Sequence, residues 1–157
     1  MSKATPPELK FAADVMLGRL AKWLRVLGQD VIYGRHLSGV GLIHAARQEN
    51  RIILTRDRRL RGQPQESLFI RSDDFREQLR QVVSTFHLIR GNDLFKRCLI
   101  CNFSLQPRPK ASVKGAVPEY VFSTQENFFW CTDCGRIYWP ATHHQEMLQE
   151  LKNLPLE

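Results

Sequence analysis

Residues 51–57 read Arg51-Ile52-Ile53-Leu54-Thr55-Arg56-Asp57, a run of β-branched residues that ends in an acid. Such residues favour extended structure, so this stretch predicts a buried strand. Shorter runs at residues 10–13, 31–33 and 67–70 alternate with segments in which apolar residues recur every three or four positions. That alternation is typical of a parallel sheet with right-handed crossovers. The sequence therefore predicts an α/β fold with a parallel sheet flanked by helices.

The helices of this predicted domain have recognisable ends. The first runs from Val15 to Gly28, a residue type that commonly follows a helix. The second is entered from Ser38, and Ser72 is predicted to cap the third. A final helix, from about Thr142 to Leu151, closes the chain.

The composition changes near residue 91, where Gly91-Asn92-Asp93 predicts a turn. We therefore predict an α/β domain over residues 9–90 and a cysteine-containing module with the last helix over residues 91–152. Between the cysteines lie a loop from Gln106 to Pro118 and the aromatic run Phe128-Phe129-Trp130. We expect this module to have little core of its own and to pack on the α/β domain through those aromatic residues.

All four cysteines lie in two CxxC pairs separated by 29 residues. Two such pairs supply the four soft ligands of a tetrahedral zinc site, here Cys98, Cys101, Cys131 and Cys134. Gly135 suits the tight backbone of a zinc knuckle. The alternatives are a thioredoxin-like redox pair, which needs only one CxxC, and two structural disulfides. The doubled motif favours structural zinc, and a site closed by four protein ligands stabilises the fold without doing chemistry.

Acids directly follow three of the predicted strands: Asp14 after the first, Asp57 after the third, and Asp73 and Asp74 after the fourth. The carboxyl ends of parallel strands form one edge of the sheet, and ligands bind there. Carboxylates at this edge, which we call the acidic rim, predict a catalytic Mg²⁺ or Mn²⁺ site that could cut a phosphodiester. The alternative is that each acid only caps a helix.

Basic residues surround the acidic rim, and the chain carries a net charge of +7. Such an excess favours a polyanionic partner. Arginines also flank Asp57, and three cations share one face of the first helix. The predicted phosphate-binding set is Arg19, Lys22, Arg25, Arg56, Arg58 and Arg59, with Arg61 beside it. The alternative is an ordinary solvated surface.

The N-terminal segment is polar and contains no signal-like apolar stretch, and no segment is long enough to span a bilayer. We therefore expect no membrane association and a reducing, cytoplasmic location, which again favours zinc over disulfides.

Several of these stretches together resemble the Mut-seven C-terminal RNase family. The resemblance covers about residues 9–150. It rests on residues 14–25, 28–31, 54–60, 98–102 and 131–139, followed by His143. It implies a PIN-like nuclease fold with an appended zinc ribbon, RNA as the substrate and a divalent ion at the acidic rim. It also implies that Asp14 is the first-strand acid and Asp57 the acid of the Thr-Arg-Asp motif.

One departure from the family pattern concerns the second helix. The family usually carries an acid at its start, whereas this chain reads Ser38-Gly39-Val40-Gly41-Leu42. The missing carboxylate is expected to weaken metal binding unless Asp30, Asp73 or Asp74 compensates. His143 and His144 match a family position near the last helix, where we expect a packing or surface role.

Three functions follow as hypotheses. The first is a cytoplasmic, metal-dependent ribonuclease. The second is a non-catalytic RNA-binding module that has lost part of the nuclease site near Gly39. The third is an interaction adaptor in which the aromatic residues of the ribbon dock a protein.

Overall fold

The computed structural model describes residues 8–60, 62, 64–88, 94–140 and 142–153. Arg61 and the predicted turn at residues 91–93 lie outside these ranges, as do the side chains of His143 and His144.

The first part of the chain alternates strands and helices. Its elements are β1 Lys10–Ala13, α1 Gly18–Val26, β2 Asp30–Ile32, α2 Gly39–Gln48, β3 Ile52–Thr55, β4 Ser67–Phe69 and α3 Phe75–Phe86. The four strands form one sheet in the order β2-β1-β3-β4, and every neighbouring pair is parallel. The predicted parallel sheet is therefore confirmed.

Alternating side chains of the central strands separate two apolar layers. Phe11 and Leu54 lie in a large cluster with the buried residues of α1 and α3, whereas Ala12 and Ile53 belong to a second cluster with α2. The period of two along a strand sends neighbouring residues to opposite faces. The sheet is thus covered on both sides, and its polar groups are confined to the strand ends.

The helix ends follow local chemistry. Leu27 caps α1, and Gly28 follows it with a φ of 85°, as predicted for the residue after a helix. The predicted cap of the third helix is wrong by two residues. Asp74 accepts the hydrogen bond from the Arg76 amide, and the hydroxyl of Ser72 accepts one from the Asp74 amide.

The second part of the chain contains a small antiparallel sheet. Its elements are β5 Gln106–Arg108, α4 Glu119–Thr124, β6 Phe128–Trp130 and β7 Ile137–Tyr138, and the strand order is β5-β6-β7. The prediction that this module has little core of its own is wrong. Val113, Val117, Val121 and Phe128 form a separate buried cluster, which joins the predicted loop, the unpredicted helix α4 that follows it, and β6.

The two parts meet at the opposite end of the large sheet from the acidic rim. The aromatic run does not make this junction, because Phe128 is buried inside the ribbon and Phe129 is exposed. Instead, the side chain of Arg25 reaches the first cysteine pair, and the amide of Phe95 donates to the carbonyl of Val26. The last helix, α5 Thr142–Asn153, packs Met147 and Leu151 into the core of the α/β part, although the predicted division assigns it to the ribbon.

Within the described ranges, the structure contains no helix that is both long enough and apolar enough to cross a membrane.

Candidate functional site

The acidic rim lies at the topological switch point of the large sheet, between β1 and β3. The chain runs from β1 to β2 on one side and then crosses to β3 on the other. Ligands of open α/β sheets bind at such switch points, outside the carboxyl ends of the strands. Asp14 follows β1 and its amide donates to the Leu54 carbonyl of β3. Asp57 follows β3 by two residues.

Asp14 is a buried acid with only one hydrogen bond to its carboxylate. Its side chain is 3% exposed, and Oδ2 accepts a hydrogen bond of 2.8 Å from Oγ1 of Thr55. The side chain makes no capping bond to the short helical turn that follows it. Among the described residues, no cationic side chain forms an ion pair with it. The capping alternative therefore does not account for Asp14.

Thr55 connects the two acids of the rim. Its hydroxyl, which donates to Asp14, also accepts a hydrogen bond of 2.9 Å from the amide of Asp57. Thr55 is almost completely buried, so the hydroxyl has a fixed position. Our sequence interpretation passed over this residue. A hydroxyl at the last position of β3, two residues before an acid, was the available signal.

Asp57 is more accessible and is held by Arg59. Its Oδ1 accepts bonds from the backbone amide and Nε of Arg59, and its Oδ2 accepts one of 2.9 Å from Nη2. These hydrogen bonds and the adjacent positive charge hold the pKa of the Asp57 carboxyl below its usual value. The Asp57 side chain is 17% exposed and that of Arg59 is 89% exposed. An exposed pair of this kind is weak, so Arg59 can exchange its partner at little cost.

Asp73 and Asp74, which follow β4, do not form a cluster of converging ligand atoms with Asp14 and Asp57. Asp74 caps α3 through the Arg76 amide, and Asp73 is exposed beside it. Among the described residues, the four cysteines are the one group of three or more His, Cys, Asp or Glu side chains whose ligand atoms converge. The capping alternative thus describes Asp74, and an assisting role for Asp73 or Asp74 stays a prediction.

The start of α2 lies beside Asp14. The amide of Val15 donates a hydrogen bond of 3.2 Å to the carbonyl of Leu37, two residues before the helix. Gly39 has a φ of 53°, and a side chain added there would meet nothing within 4 Å. A side chain at this position would therefore enter open space.

Cationic side chains border the rim. Arg19 lies against the ring of Phe75, with Cζ 3.7 Å from the ring centroid, and Arg58 lies 5.9 Å from that of Phe69. Arg56 donates to the carbonyl of Ile70. Lys22 is exposed on α1. These placements are compatible with the predicted phosphate contacts, which stay a prediction.

Arg25 does not fit its predicted role in RNA binding. The residue is 5% exposed, and Nε and Nη2 both donate to the carbonyl of Val31. Nη1 donates to the carbonyls of Leu99 and Ile100. Burial lowers its pKa, and the nearby cysteines and Asp30 oppose that effect. This guanidinium joins α1, β2 and the first cysteine pair, and four of its five N–H groups are used by backbone carbonyls.

The four cysteines converge on one point. All four Sγ atoms lie within 4.8 Å of one another, and those of Cys98 and Cys134 are 3.8 Å apart. A tetrahedral ion with zinc–sulfur bonds of about 2.3 Å places its ligands about 3.8 Å apart. The donor set therefore fits zinc, and the four cysteines could hold such an ion.

Both cysteine pairs have the same local backbone. The amide of Asn102 donates to the carbonyl of Cys98, and the amide of Gly135 donates to the carbonyl of Cys131. Asn102 and Gly135 have φ values of 70° and 77°. Glycine and asparagine tolerate this left-handed conformation best, which explains the residue types that follow each pair. Oδ1 of Asn102 also accepts a hydrogen bond from the amide of Val31, and its Nδ2 donates one to the carboxylate of Asp30.

Tyr138 is a second residue that sequence reasoning missed. Its hydroxyl lies 3.1 Å from Cys98 Sγ and accepts a bond from the Leu99 amide. Burial tends to raise the pKa of Cys98, but Tyr138 and nearby backbone amides lower it to about 7. Burial raises the pKa of the Cys101 and Cys131 thiols. A bound cation would hold Cys101 and Cys131 as thiolates against this effect.

These features together define an α/β protein with a covered parallel sheet, acids at the switch point and an appended four-cysteine ribbon. A family model, the Mut7-C RNAse domain, matches residues 9–151. The chain belongs to that family, which confirms the resemblance seen in the sequence and indicates a nuclease-like function related to RNA. A comparison with curated proteins found no match.

Proposed function

We propose that this protein is a metal-dependent ribonuclease of PIN-like architecture that hydrolyses RNA phosphodiester bonds at the acidic rim. The observation that supports this most is the carboxylate of Asp14. It is buried, caps no helix and has no cationic partner among the described residues. A buried carboxylate without a compensating charge is costly. A divalent ion would supply that charge.

Asp14 and Asp57 would hold the ion. Mg²⁺ is commonly bound through one or two carboxylates together with water and substrate phosphates, so two acids suffice. The bound ion would supply a water of lowered pKa and would neutralise charge on the phosphoryl group. Thr55 orients Asp14 and anchors the backbone of Asp57, which keeps the two carboxylates in place without further ligands.

The arginines of the rim would hold the RNA backbone. Arg58 and Arg59 are exposed beside Asp57, and Arg19 is exposed on α1. An RNA phosphate can replace Asp57 as the partner of Arg59, because carboxylates and phosphates both accept paired hydrogen bonds from a guanidinium. Arrival of RNA would then release Asp57 for the ion. Arg25 has no part in this proposal.

Structural zinc and a reducing compartment belong to the same proposal. The four cysteines converge and form no disulfide, which supports a zinc ion bound by Cys98, Cys101, Cys131 and Cys134 in a cytoplasmic protein.

The test is Mn²⁺-dependent cleavage of single-stranded RNA by Asp14→Asn and Asp57→Asn. Each substitution keeps the shape and removes the charge that holds the ion, so each should abolish cleavage with folding intact. Glu119→Gln, a charge-matched change in the first turn of α4, should cleave like the wild type. Asp73→Asn and Asp74→Asn test whether those acids assist. Undiminished cleavage by Asp14→Asn would refute the proposal.

A second candidate is a non-catalytic RNA-binding module. It is favoured by the open space at Gly39 and by the arginine that occupies Asp57. Wild-type protein that binds RNA but neither binds Mn²⁺ nor cleaves would establish this function in place of the first.

A further inference from the structure

A cavity of about 360 Å³ lies within the ribbon, and all of its lining residues fall between Leu94 and Pro140. Its volume falls within the usual range of small-ligand sites, about 300–1,000 Å³. Aromatic and apolar side chains form most of its lining, including Phe129, Tyr138, Trp139, Leu99 and Leu105.

One wall of the cavity is a row of flat side chains across the small sheet. Pro107, Phe129 and Tyr138 are direct register partners on β5, β6 and β7, so they share one face of the sheet. Phe129 is 37% exposed although its neighbours Phe128 and Trp130 are covered by the ribbon's own contacts. An exposed phenylalanine in the middle of a short strand is not required by the core.

The wall is also rigid. The Tyr138 hydroxyl lies 3.1 Å from Cys98 Sγ and accepts the amide of Leu99, so its ring is fixed to the first cysteine pair. Trp139 lies 6.4 Å from the Phe128 ring, within the ribbon cluster. A preorganised aromatic surface binds a flat ligand with little loss of side-chain entropy.

The charges at the cavity indicate an anionic ligand. Among the described residues that line it, Lys96 and Arg97 are cationic and none is acidic. Arg97 donates to the carbonyls of Gly28 and Asn102, and its Nη2 pairs with the exposed Glu8, so a phosphate would replace Glu8 at that nitrogen. Another cavity that Arg97 also lines contains the acids Asp30 and Glu49 together with Arg51, so its charges are balanced. A flat apolar platform beside cations is the arrangement by which proteins bind unpaired bases and the phosphates attached to them.

We propose that this cavity binds an unpaired base of single-stranded RNA, which stacks on Phe129 with its phosphate near Lys96 and Arg97. The inference rests on the proposed function in so far as the partner is RNA. It adds a second contact on the ribbon, distant from the acidic rim, and it makes the protein prefer single strands. Duplex RNA keeps its bases stacked inside the helix and cannot use the cavity.

The experiment compares Phe129→Ala with wild type in binding a single strand and a duplex of equal length, by fluorescence anisotropy. Stacking of one base predicts a loss of about fivefold to 150-fold for the single strand. Duplex affinity should stay unchanged. Tyr120→Ala is the matched control, because Tyr120 is 72% exposed on α4 and does not line the cavity. Phe129→Trp should bind the single strand as the wild type does, and equal zinc content shows that the variants fold.

The outcomes separate this proposal from the proposed function. If Arg58→Ala with Arg59→Ala weakens binding and Phe129→Ala does not, the rim binds RNA and the cavity proposal is overturned. If neither change affects affinity, RNA recognition by both regions is refuted. A proline-rich peptide is the other ligand that such a surface accepts. If that peptide loses binding in Phe129→Ala while RNA does not, the cavity is a peptide site and the proposal is wrong.

Discussion

Thr55 Oγ1 donates a hydrogen bond of 2.8 Å to Oδ2 of Asp14, and both side chains are buried at the switch point of the sheet. Because the same hydroxyl accepts the amide of Asp57, one atom positions both acids of the rim. The acids are therefore not independent, and a change at Thr55 is felt at each.

Replacing Thr55 with valine should destabilise the protein and reduce cleavage together. Valine has the same shape but leaves the buried Asp14 carboxylate and the Asp57 amide without their partner, at a cost of about 1–3 kcal/mol. Urea unfolding measures the loss of stability. Thr55→Ser keeps the hydroxyl and should retain most of both properties. A Thr55→Val protein as stable and active as Thr55→Ser would show that the hydrogen bonds contribute nothing.

Purified protein should contain close to one zinc ion per chain. Cys98→Ser and Cys134→Ser should lose the ion and unfold the ribbon, because thiolate ligands hold its two cysteine pairs together. Elemental analysis and near-ultraviolet circular dichroism measure these effects. Ser123→Ala, on α4 and outside the cluster, should keep both metal and spectrum. Native protein with four cysteines and no bound metal would contradict the assignment.

Arg25→Met should be among the most destabilising changes on α1. It removes every donor that serves the carbonyls of Val31, Leu99 and Ile100, and we expect a loss of about 2–4 kcal/mol. Its exposed neighbour Lys22 provides the control, since Lys22→Met should change stability by no more than about 0.5 kcal/mol. Denaturant titration distinguishes the two. Similar stabilities would show that the buried guanidinium is not a structural bridge.

RNA affinity should fall steeply as salt rises. Arginine contacts to phosphate release counterions, so the double change of Arg58 and Arg59 to alanine should lower affinity for all sequences and reduce the salt slope by about 2. Arg47→Ala with Lys152→Ala removes the same charge from the C-terminal turns of α2 and α5 and should have a smaller effect. The measurement is anisotropy at several salt concentrations. Affinity that does not depend on salt would mean that the basic border is only a solvated surface.

Gly39→Asp should increase Mn²⁺ binding and RNA cleavage. The new carboxylate would occupy open space beside Asp14, although the left-handed φ of 53° costs an aspartate about 1–2 kcal/mol. Gly39→Asn shares this strain without the charge and should gain nothing. Calorimetric Mn²⁺ titration and a cleavage assay provide the comparison. Equal behaviour of the two variants would show that position 39 does not face the ion.

The layout of the large sheet was predictable because its information is local. The β-branched run before Asp57 and the short run before Asp14 marked β3 and β1, and parallel topology then followed from the alternation with helices. The four-cysteine cluster was predictable for the same reason, since each CxxC fixes its own geometry.

The rest depended on contacts between distant residues. Arg19, Lys22 and Arg25 look alike in sequence, yet only Arg25 turns inward, because the first cysteine pair, some 74 positions later, offers it carbonyl groups. Asp74 and Asp14 also look alike in sequence but have different roles in the structure. Both follow strands, but only the carboxylate of Asp14 is aimed at a hydroxyl of the neighbouring strand. The small core of the ribbon was missed because α4 occupies only six residues after a proline-containing loop.

The first cysteine pair affects the exposure of β2, one of the two edge strands of the parallel sheet. The backbone of Val31 has its amide bound by Asn102 and its carbonyl by Arg25, so the groups that would otherwise accept a further strand are occupied. Exposed strand edges are templates for aggregation. Loss of the metal would free Asn102 and expose that edge. The ribbon therefore covers this edge of the α/β part against intermolecular β-pairing. Loss of a metal from the four cysteines is expected to yield insoluble protein rather than soluble, inactive monomers.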